Sequence, residues 1–412
     1  MSIKLFNDML NENLSYDLLK PEIEEKSYLW KNIEHKEDWT GDLIVPFQAG
    51  RASSVKAGGL VAIADITSQK LVRGSIADSS RPEINMALVF HHKDIFNHEG
   101  KVKAKSFLGT FLPEQISDAT DFFAKTLNHT FLNAKHLDKV ADVTNLASSK
   151  IGVNRPERFE LDMKVILDPT GANVTGWVKE ININTGELLI VTAKGGSTGA
   201  TLTGVAVGEL IYQEGFATSS VSNLKDILLP VAAGGASTVY GQTKTASPYT
   251  QALAIDGSGM STSNIFEKIF DAYSKYRQLA KVGAGELWCS FKHLGTMMKK
   301  LEQDKGAYKM VPGSMKVSQY GFTTIEIFGP GGSLKVVAMQ EMDNDFMTFV
   351  SMDAMKIHSN GGIRKHKDPN GNAFYTVRDE NDNYKYVVDL MYEGTIVVSK
   401  PYKCAIIYGI TY

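Results

Sequence analysis

The stretch from Leu112 to Val140 constrains the fold of this chain more than any other. Apolar or small residues recur there at three- and four-residue steps, with charged and amide side chains between them. This spacing places one apolar stripe along a helix, and Pro113 suits the first helical position because its missing N–H costs nothing there. The stripe comprises Ile116, Ala119, Phe123, Leu127, Thr130, Phe131, Ala134, Leu137 and Val140. We therefore predict a spine helix over 113–140, about 40 Å long at ~1.5 Å per residue, with sheets packed on either side.

The N-terminal part of the chain predicts two extended elements without a core of their own. Residues 1–40 give an arm of short helical pieces that are too short to be stable alone. Residues 41–80 predict a hairpin, with strands at 43–47 and 60–66 around a Gly-rich tip at 48–59. A two-stranded hairpin is only marginally stable in water. We expect other copies of the chain to hold both elements; a hairpin folded back on its own domain is the alternative.

The rest of the chain predicts an α+β architecture. Residues 81–158 hold an extended segment and the spine helix. Residues 159–216 alternate apolar and polar positions between turn sequences, which indicates a β-rich insertion. Helical and strand patterns then alternate through an α+β domain at 217–355. Residues 356–400 predict further strands, and residues 401–412 predict a closing strand.

Composition and charge argue against several classes of protein. The 412 residues carry a net charge of −2, which is unlike a strongly basic nucleic-acid-binding protein. The two cysteines, Cys289 and Cys404, cannot build a disulfide framework or a four-thiolate zinc site. No apolar run reaches the ~18 residues of a membrane span, and we expect no secretion signal. The sequence therefore predicts a protein of a reducing compartment, without membrane or cofactor.

Candidate catalytic residues are few and lack their usual context. The sequence Gly-Gly-Ser-Thr-Gly around Ser197 matches a nucleophile elbow, but that motif needs a helix after it, and residues 200–208 have no helical pattern. His91, His92 and His98 lie close together, yet a metal site needs further converging ligands. A serine or metal hydrolase is therefore the alternative from a different class. The basic run at 364–367 suits either a solvated loop or a contact with nucleic acid or an acidic neighbour.

The order of these parts resembles a known family. Residues 41–51 resemble the start of the extended loop of tailed-bacteriophage major capsid proteins of the Hong Kong 97 type. Residues 262–276 resemble the first helix of that family's axial domain, and 286–294 the strand and helix that follow. Residues 401–410 resemble its closing strand. The resemblance covers nearly the whole chain and identifies it as a member of this fold family, with arm, extended β-hairpin loop, spine helix, β-rich insertion and axial α+β domain. It implies that residues 81–158 and 356–400 form a peripheral domain, and that residues 217–355 form the axial domain with its closing strand at 401–412.

This resemblance implies a structural protein rather than an enzyme. Such a subunit self-assembles as hexamers and pentamers into an icosahedral phage head, which encloses double-stranded DNA without sequence-specific binding. It implies a separate scaffolding protein and a portal as partners, no cofactor, and a place in the virion capsid after assembly in the host cytoplasm. An encapsulin-like nanocompartment shell is the alternative with the same fold, although residues 159–259 exceed its more compact form. The expected intersubunit contacts are Arg51, Lys56, Lys70, Arg73, Trp30 and Trp39.

Overall fold

The computed structural model divides the chain into two compact units. One comprises Met1–Leu132 with Ser222–Tyr412, and the other comprises Asn133–Val221. The structure describes residues 23–24, 27–48, 71–91, 112–167, 173–280, 285–303, 315–317, 323–329, 332–365, 374–378 and 384–411. The predictions that lie outside the described residues are most of the arm, the strand at 60–66, the hairpin tip, and Arg51, Lys56, Lys70, His92 and His98.

Helices and strands are mixed along the described residues. The helices are α1 (Tyr28–Asn32), α2 (Leu112–Leu132), α3 (Leu224–Leu228), α4 (Ile265–Ala280) and α5 (Phe291–Gln303). The strands are β1 (Glu34–Lys36), β2 (Leu43–Gln48), β3 (Leu71–Ile76), β4 (Glu83–His91), β5 (Asp138–Asp142), β6 (Lys150–Val153), β7 (Lys164–Leu167), β8 (Val174–Asn182), β9 (Glu187–Val191), β10 (Leu210–Gln213), β11 (Thr238–Val239), β12 (Gln242–Thr243), β13 (Leu253–Asp256), β14 (Glu286–Ser290), β15 (Met315–Val317), β16 (Thr323–Gly329), β17 (Gly332–Met339), β18 (Phe346–Val350), β19 (Met355–Ser359), β20 (Arg364–Lys365), β21 (Tyr375–Arg378), β22 (Tyr384–Val398) and β23 (Ala405–Tyr408).

The spine helix is shorter than the sequence predicts. Helix α2 ends at Leu132, so its 21 residues span about 32 Å. The predicted stripe is buried along it, as at Phe123 and Leu127. Beyond its end, Val140 is buried for another reason: it lies in β5, where burial alternates along the strand. The apolar spacing from Leu137 to Val140 continues the helical period by coincidence, so the prediction through residue 140 is wrong.

A seven-stranded sheet carries a hydrophobic core of the first unit. Its strand order is β13-β23-β18-β14-β17-β16-β15. Helices α4 and α5 contribute apolar side chains to a cluster that also contains strand residues. Examples are Ile269 and Tyr273 of α4, Met297 of α5, and Leu287 and Phe349 of the sheet. The C-terminal strand β23 lies between β13 and β18, parallel to the first and antiparallel to the second.

The long strand β22 organises a six-stranded sheet. It pairs with β4 over nine residues and also pairs with β19, β20 and β21, while β1 pairs in parallel with β19. The sequence predicts two strands here, but β22 continues through Gly394. A Cβ at Gly394 would lie 2.6 Å from the Tyr392 hydroxyl and 2.8 Å from the His358 carbonyl oxygen. Glycine therefore permits a close approach inside one continuous strand.

The second unit is a closed barrel with the strand order β10-β5-β6-β9-β8-β7. Alternate residues fill its interior, including Val165, Val178 and Ile190. Strands β5 and β6 complete the barrel, so the compact unit is 133–221 and is larger than the predicted insertion at 159–216. The predicted strand pattern from residue 159 begins only with β7, and Leu161 before it is 63% exposed.

The hairpin has an ordered base. Strand β2 pairs with β3 in antiparallel register, from Leu43 opposite Ile76 to Gln48 opposite Leu71. The first predicted strand therefore lies where the sequence indicates, and its partner in the structure is β3. Burial alternates along β2, which separates an inward face from an outward face of the hairpin.

Candidate assembly surfaces

Ser197 lies outside any catalytic arrangement in the described residues. It is exposed in the loop after β9, where the Thr192 N–H donates to the Thr198 carbonyl at 3.0 Å and Val191 bridges Gly199. No helix follows within residues 200–208. A nucleophile elbow requires a sharp strand-to-helix turn, so this loop does not supply the context that the hydrolase interpretation needs.

Metal-binding geometry is also missing from the described part of the chain. There, no group of three His, Cys, Asp or Glu side chains comes close enough together to hold an ion. Of the three predicted histidines, His91 ends β4 and the other two are outside the described residues. Among the helices that the structure describes, none combines the length and the apolar character needed to cross a lipid bilayer.

Trp30 and Trp39, predicted as contacts between copies, are buried inside their own chain. Trp30 is 2% exposed and Trp39 is 1% exposed. The Trp30 ring packs against Phe131 of α2 and Tyr392 of β22, at centroid distances of 6.4 and 5.2 Å. Neither indole therefore has a surface to offer another copy, and the prediction is corrected for both. The sequence shows that these residues are apolar, but not whether their own chain or another copy of it buries them.

The segment around Trp30 is fixed by polar contacts as well. Ser27 begins α1 by accepting a hydrogen bond from the Trp30 N–H at 3.0 Å, and its hydroxyl donates to Asn128 of α2 at 2.6 Å. The Tyr28 hydroxyl donates to Glu286 of β14 at 2.7 Å. Lys335 of β17 donates to the Tyr28 hydroxyl at 2.7 Å and to the Glu286 carboxylate at 3.1 Å. From residue 27 onward, the predicted arm is therefore part of its own chain's fold.

Two arginines converge on Glu393 near Trp39. Arg81 lies 3.3 Å from the Glu393 carboxylate and Arg364 lies 3.0 Å from it. Arg81 also donates to the Trp39 carbonyl at 3.0 Å. Since Glu393 is in the middle of β22, this cluster ties the segment after β1 to the six-stranded sheet. Arg364, the first residue of the predicted basic run, thus has a carboxylate partner within its own chain.

The outward face of the hairpin base is available for contacts. Val45 and Phe47 are buried, whereas Ile44 is 58% exposed. Arg73 is exposed and lies opposite Pro46 in the register of β2 and β3. An apolar side chain and a guanidinium therefore share a surface that the chain itself does not cover. Arg73 stays a predicted intersubunit contact, as do Arg51, Lys56 and Lys70 outside the described residues.

A second uncovered surface lies on the six-stranded sheet. Within the described residues, β4 pairs only with β22, so its other edge is open. Val89 of β4 is 48% exposed and Val377 of β21 is 42% exposed, and they pair with Val387 and Lys385 on one face of β22; Tyr384, also 42% exposed, lies on the opposite face. Open strand edges and exposed apolar side chains are features that proteins use to bind other chains.

Buried charge is balanced within the first unit. Lys225 of α3 lies 3.0 Å from Asp343 and 2.9 Å from Asp345. Burial favours the neutral amine, but the two carboxylates outweigh it and hold the pKa of Lys225 above its usual value. Lys244 is compensated less: burial lowers its pKa to about 8 although the Asp226 carboxylate opposes that shift, and its ammonium donates to the Asp226 carbonyl at 2.9 Å.

Tyr240 is a residue that the sequence prediction missed. The sequence predicts loop for most of 224–259, yet Tyr240 is 8% exposed and contacts the hairpin base. Its ring stacks on Phe47, with centroids 5.6 Å apart and planes inclined by 19°. The available signal was Gly241 directly after it, which is typical of a tight turn. That signal indicates a turn but not what the aromatic side chain contacts.

Comparison with known proteins identifies the fold. No family model matches the sequence, and no curated protein matches it. The capsid protein of cyanophage A-1(L) is similar in structure, with 12% identity, coverage of 92% of this chain and 91% of that one, and a TM-score of 0.50. The capsid of an empty GTA particle has 10% identity, coverage of 94% of this chain and 90% of that one, and a TM-score of 0.44. An encapsulin complex of Synechococcus elongatus has 8% identity, coverage of 93% of this chain and 90% of that one, and a TM-score of 0.41. The chain has the Hong Kong 97 type fold of phage capsid proteins, which confirms the predicted resemblance.

Proposed function

We propose that this chain is a major capsid protein, which self-assembles as hexamers and pentamers into an icosahedral phage head. The observation that carries the proposal is the fold shared with the cyanophage A-1(L) capsid protein across 92% of the chain. A fold alone hosts many functions, so the uncovered surfaces matter as well. Ile44 and Arg73 on the hairpin, and Val89 on the open edge of β4, give a subunit places at which to meet its neighbours.

In this proposal the parts of the first unit have separate roles. The seven-stranded sheet with α4 and α5 is the axial domain, where five or six copies meet. The six-stranded sheet and α2 form the peripheral domain, which contacts neighbouring capsomers, and the extended hairpin lies over an adjacent subunit. The barrel of residues 133–221 is an added module. These roles rest on the fold and on the placement of exposed side chains.

Enclosure of double-stranded DNA follows from the same proposal. A net charge of −2 suits a wall that surrounds DNA without binding it tightly, because tight binding needs many basic contacts to phosphate. We further propose a separate scaffolding protein and a portal as partners, assembly in the host cytoplasm, and a final place in the virion. No catalytic role is proposed.

Assembly of the purified chain tests the proposal. Size-exclusion chromatography and negative-stain electron microscopy should find closed shells, or rings of five or six copies, with and without a crowding agent. A chain that stays monomeric at every concentration, in the crowding agent and together with a scaffolding protein would overturn the proposal. The contents separate the two kinds of shell: nuclease-protected double-stranded DNA supports a phage head, whereas a protein cargo with no DNA supports an encapsulin-like compartment.

A further inference from the structure

A tight hairpin at residues 238–243 has an unusual residue at its tip. Strands β11 and β12 pair with Val239 opposite Gln242, which leaves a two-residue loop of Tyr240 and Gly241. Both loop residues have positive φ, 49° and 76° respectively. Two-residue loops of this kind favour Asn, Asp or Gly, because bulky side chains rarely adopt a left-handed backbone. Such strain persists where the surroundings hold the residue in place.

The ring and the backbone carbonyl of Tyr240 contact the base of the extended hairpin. Its ring stacks on Phe47 of β2, and its carbonyl accepts a hydrogen bond from the Ser75 N–H of β3 at 3.0 Å. Gly74 permits this approach, because a Cβ there would lie 2.7 Å from the Phe47 ring and 2.9 Å from the Tyr240 carbonyl oxygen. Gln242, on the next strand, donates to the Arg73 carbonyl at 3.1 Å. Both strands of the hairpin are therefore contacted by this turn.

The other end of Tyr240 reaches the six-stranded sheet. Its hydroxyl accepts a hydrogen bond from the Val398 N–H at 2.8 Å and contacts the Ile396 carbonyl oxygen at 3.4 Å. Both residues belong to the end of β22, where Val398 pairs with Met355 of β19. Burial raises the pKa of Tyr240, so the phenol keeps its proton and can donate as well as accept. Tyr240 thus joins a marginal two-stranded hairpin to a large sheet.

We propose that Tyr240 is a positioning residue, which sets the direction in which the extended hairpin leaves the six-stranded sheet. A two-stranded hairpin has little stability of its own, so its direction depends on what its base contacts. In a shell, a rotation of β2 and β3 would change which neighbour meets their outward face, where Ile44 and Arg73 lie. Tyr240 therefore selects the relative placement of neighbouring subunits. This part of the inference rests on the proposed function.

Three substitutions and one control separate positioning from general stability. Tyr240→Asn suits the left-handed backbone but removes the ring and the hydroxyl contact. Tyr240→Phe keeps the ring and removes only the hydroxyl. Gly74→Ala leaves Tyr240 intact and blocks its approach. Ile190→Ala is the control, because it removes core volume from the barrel, in the other compact unit, without touching the hairpin.

Hydrogen exchange on the unassembled protein tests the contact itself. Peptides covering residues 43–48 and 71–76 should exchange at least tenfold faster in Tyr240→Asn and Gly74→Ala than in the wild type. Tyr240→Phe should give an intermediate rate, and Ile190→Ala should leave these peptides unchanged. Equal rates in the wild type and Tyr240→Asn, or the same acceleration in Ile190→Ala, would overturn the proposal whether or not shells form.

Electron microscopy of assembled particles tests the consequence. Tyr240→Asn should give at least fivefold fewer closed shells of uniform diameter, with open or irregular assemblies in their place, while Ile190→Ala shells keep the wild-type diameter. Wild-type yield and diameters in Tyr240→Asn would overturn the role in assembly. A wild-type chain that never assembles would overturn the proposed function instead, and the exchange rates would still decide whether Tyr240 positions the hairpin.

Discussion

The indole of Trp30 lies nearly parallel to the ring of Phe131, with planes 6° apart and centroids separated by 6.4 Å. This pair joins α1 to α2, and Tyr392 of β22 packs against both rings. Three elements that are far apart in the sequence therefore share one aromatic cluster. A residue expected to hold neighbouring copies together instead holds its own subunit together.

Trp30→Ala should consequently destabilise the unassembled chain. Truncation of a fully buried tryptophan usually lowers the free energy of unfolding by about 3–5 kcal/mol, and denaturant unfolding of the unassembled protein measures it. Ile44→Ala is the control: Ile44 is 58% exposed, so its loss should change the unfolding free energy by less than about 0.5 kcal/mol. A Trp30→Ala protein that unfolds like the wild type but fails to assemble would restore the intersubunit interpretation.

Arg73→Glu should affect assembly without affecting the fold. Arg73 is exposed on the outward face of the hairpin base, and arginine suits bidentate pairing with a neighbour's carboxylate. We expect Arg73→Glu to reduce shell yield at least tenfold, and Arg73→Lys to reduce it less because it keeps the charge. Particle counts by electron microscopy give the yield, and unfolding midpoints should be equal in all three proteins. Equal yields would remove Arg73 from the contact surface.

Glu393→Gln should loosen the segment that contains Trp39. The substitution takes the charge from a carboxylate that is 16% exposed and shared by Arg81 and Arg364. Hydrogen bonds to charged groups contribute about 1.5–3 kcal/mol, so we expect a loss of about that size in the free energy of unfolding. Glu214→Gln is the matched control, since Glu214 forms an exposed pair with Lys164 and such pairs contribute about 0–1 kcal/mol. Equal losses in the two variants would contradict the prediction.

His293 should make the stability of the first unit depend on pH. Burial lowers the pKa of His293 from 6.5 to about 4, so the folded chain holds a neutral imidazole where the unfolded chain binds a proton. The folded state therefore has its full free energy of unfolding, as far as His293 is concerned, above pH 6.5, and loses part of it as the pH falls from 6.5 to about 4. This loss amounts to about 3 kcal/mol. Denaturant unfolding at several pH values should give a shallower acid dependence for His293→Gln than for the wild type; parallel curves would refute the prediction.

Gly176→Ala and Gly295→Ala should have opposite effects. A Cβ at Gly176 would lie 2.3 Å from the Ile190 side chain inside the barrel, whereas a Cβ at Gly295 in α5 meets nothing within 4 Å. Overpacking usually costs about 1–3 kcal/mol, and alanine is favoured over glycine in a helix by about 0.8–1 kcal/mol. Thermal unfolding should therefore show a lower midpoint for Gly176→Ala and a higher one for Gly295→Ala.

The sequence predicts regular elements better than their ends and contacts. The spacing of apolar residues identifies α2, α4 and α5, because each helix buries one apolar stripe. The end of α2 is missed because Val140 lies one helical step after Leu137 and also occupies a buried position of β5. The first strand of the barrel, β5, is missed for the same reason, since its first residues fall within the predicted helix.

The candidate contact residues show a different limit. Whether Trp39 is covered by its own chain or by a neighbour depends on long-range packing, which local periodicity does not contain. Tyr240 has a left-handed backbone, which tyrosine rarely adopts, so residue preferences predict a different residue at this turn. Only the contacts with Phe47 and Val398 explain why an aromatic residue occupies that turn.

The first and last strands of the barrel lie side by side. The Leu137 N–H donates to the Ile211 carbonyl at 2.7 Å, and the Lys135 ammonium contacts the Ser219 carbonyl oxygen. The chain therefore enters and leaves the module about one strand spacing apart, ~4.8 Å. A module with adjacent ends is an exchangeable part. A short loop, or a foreign domain with equally close ends, could therefore bridge the same two points of the chain.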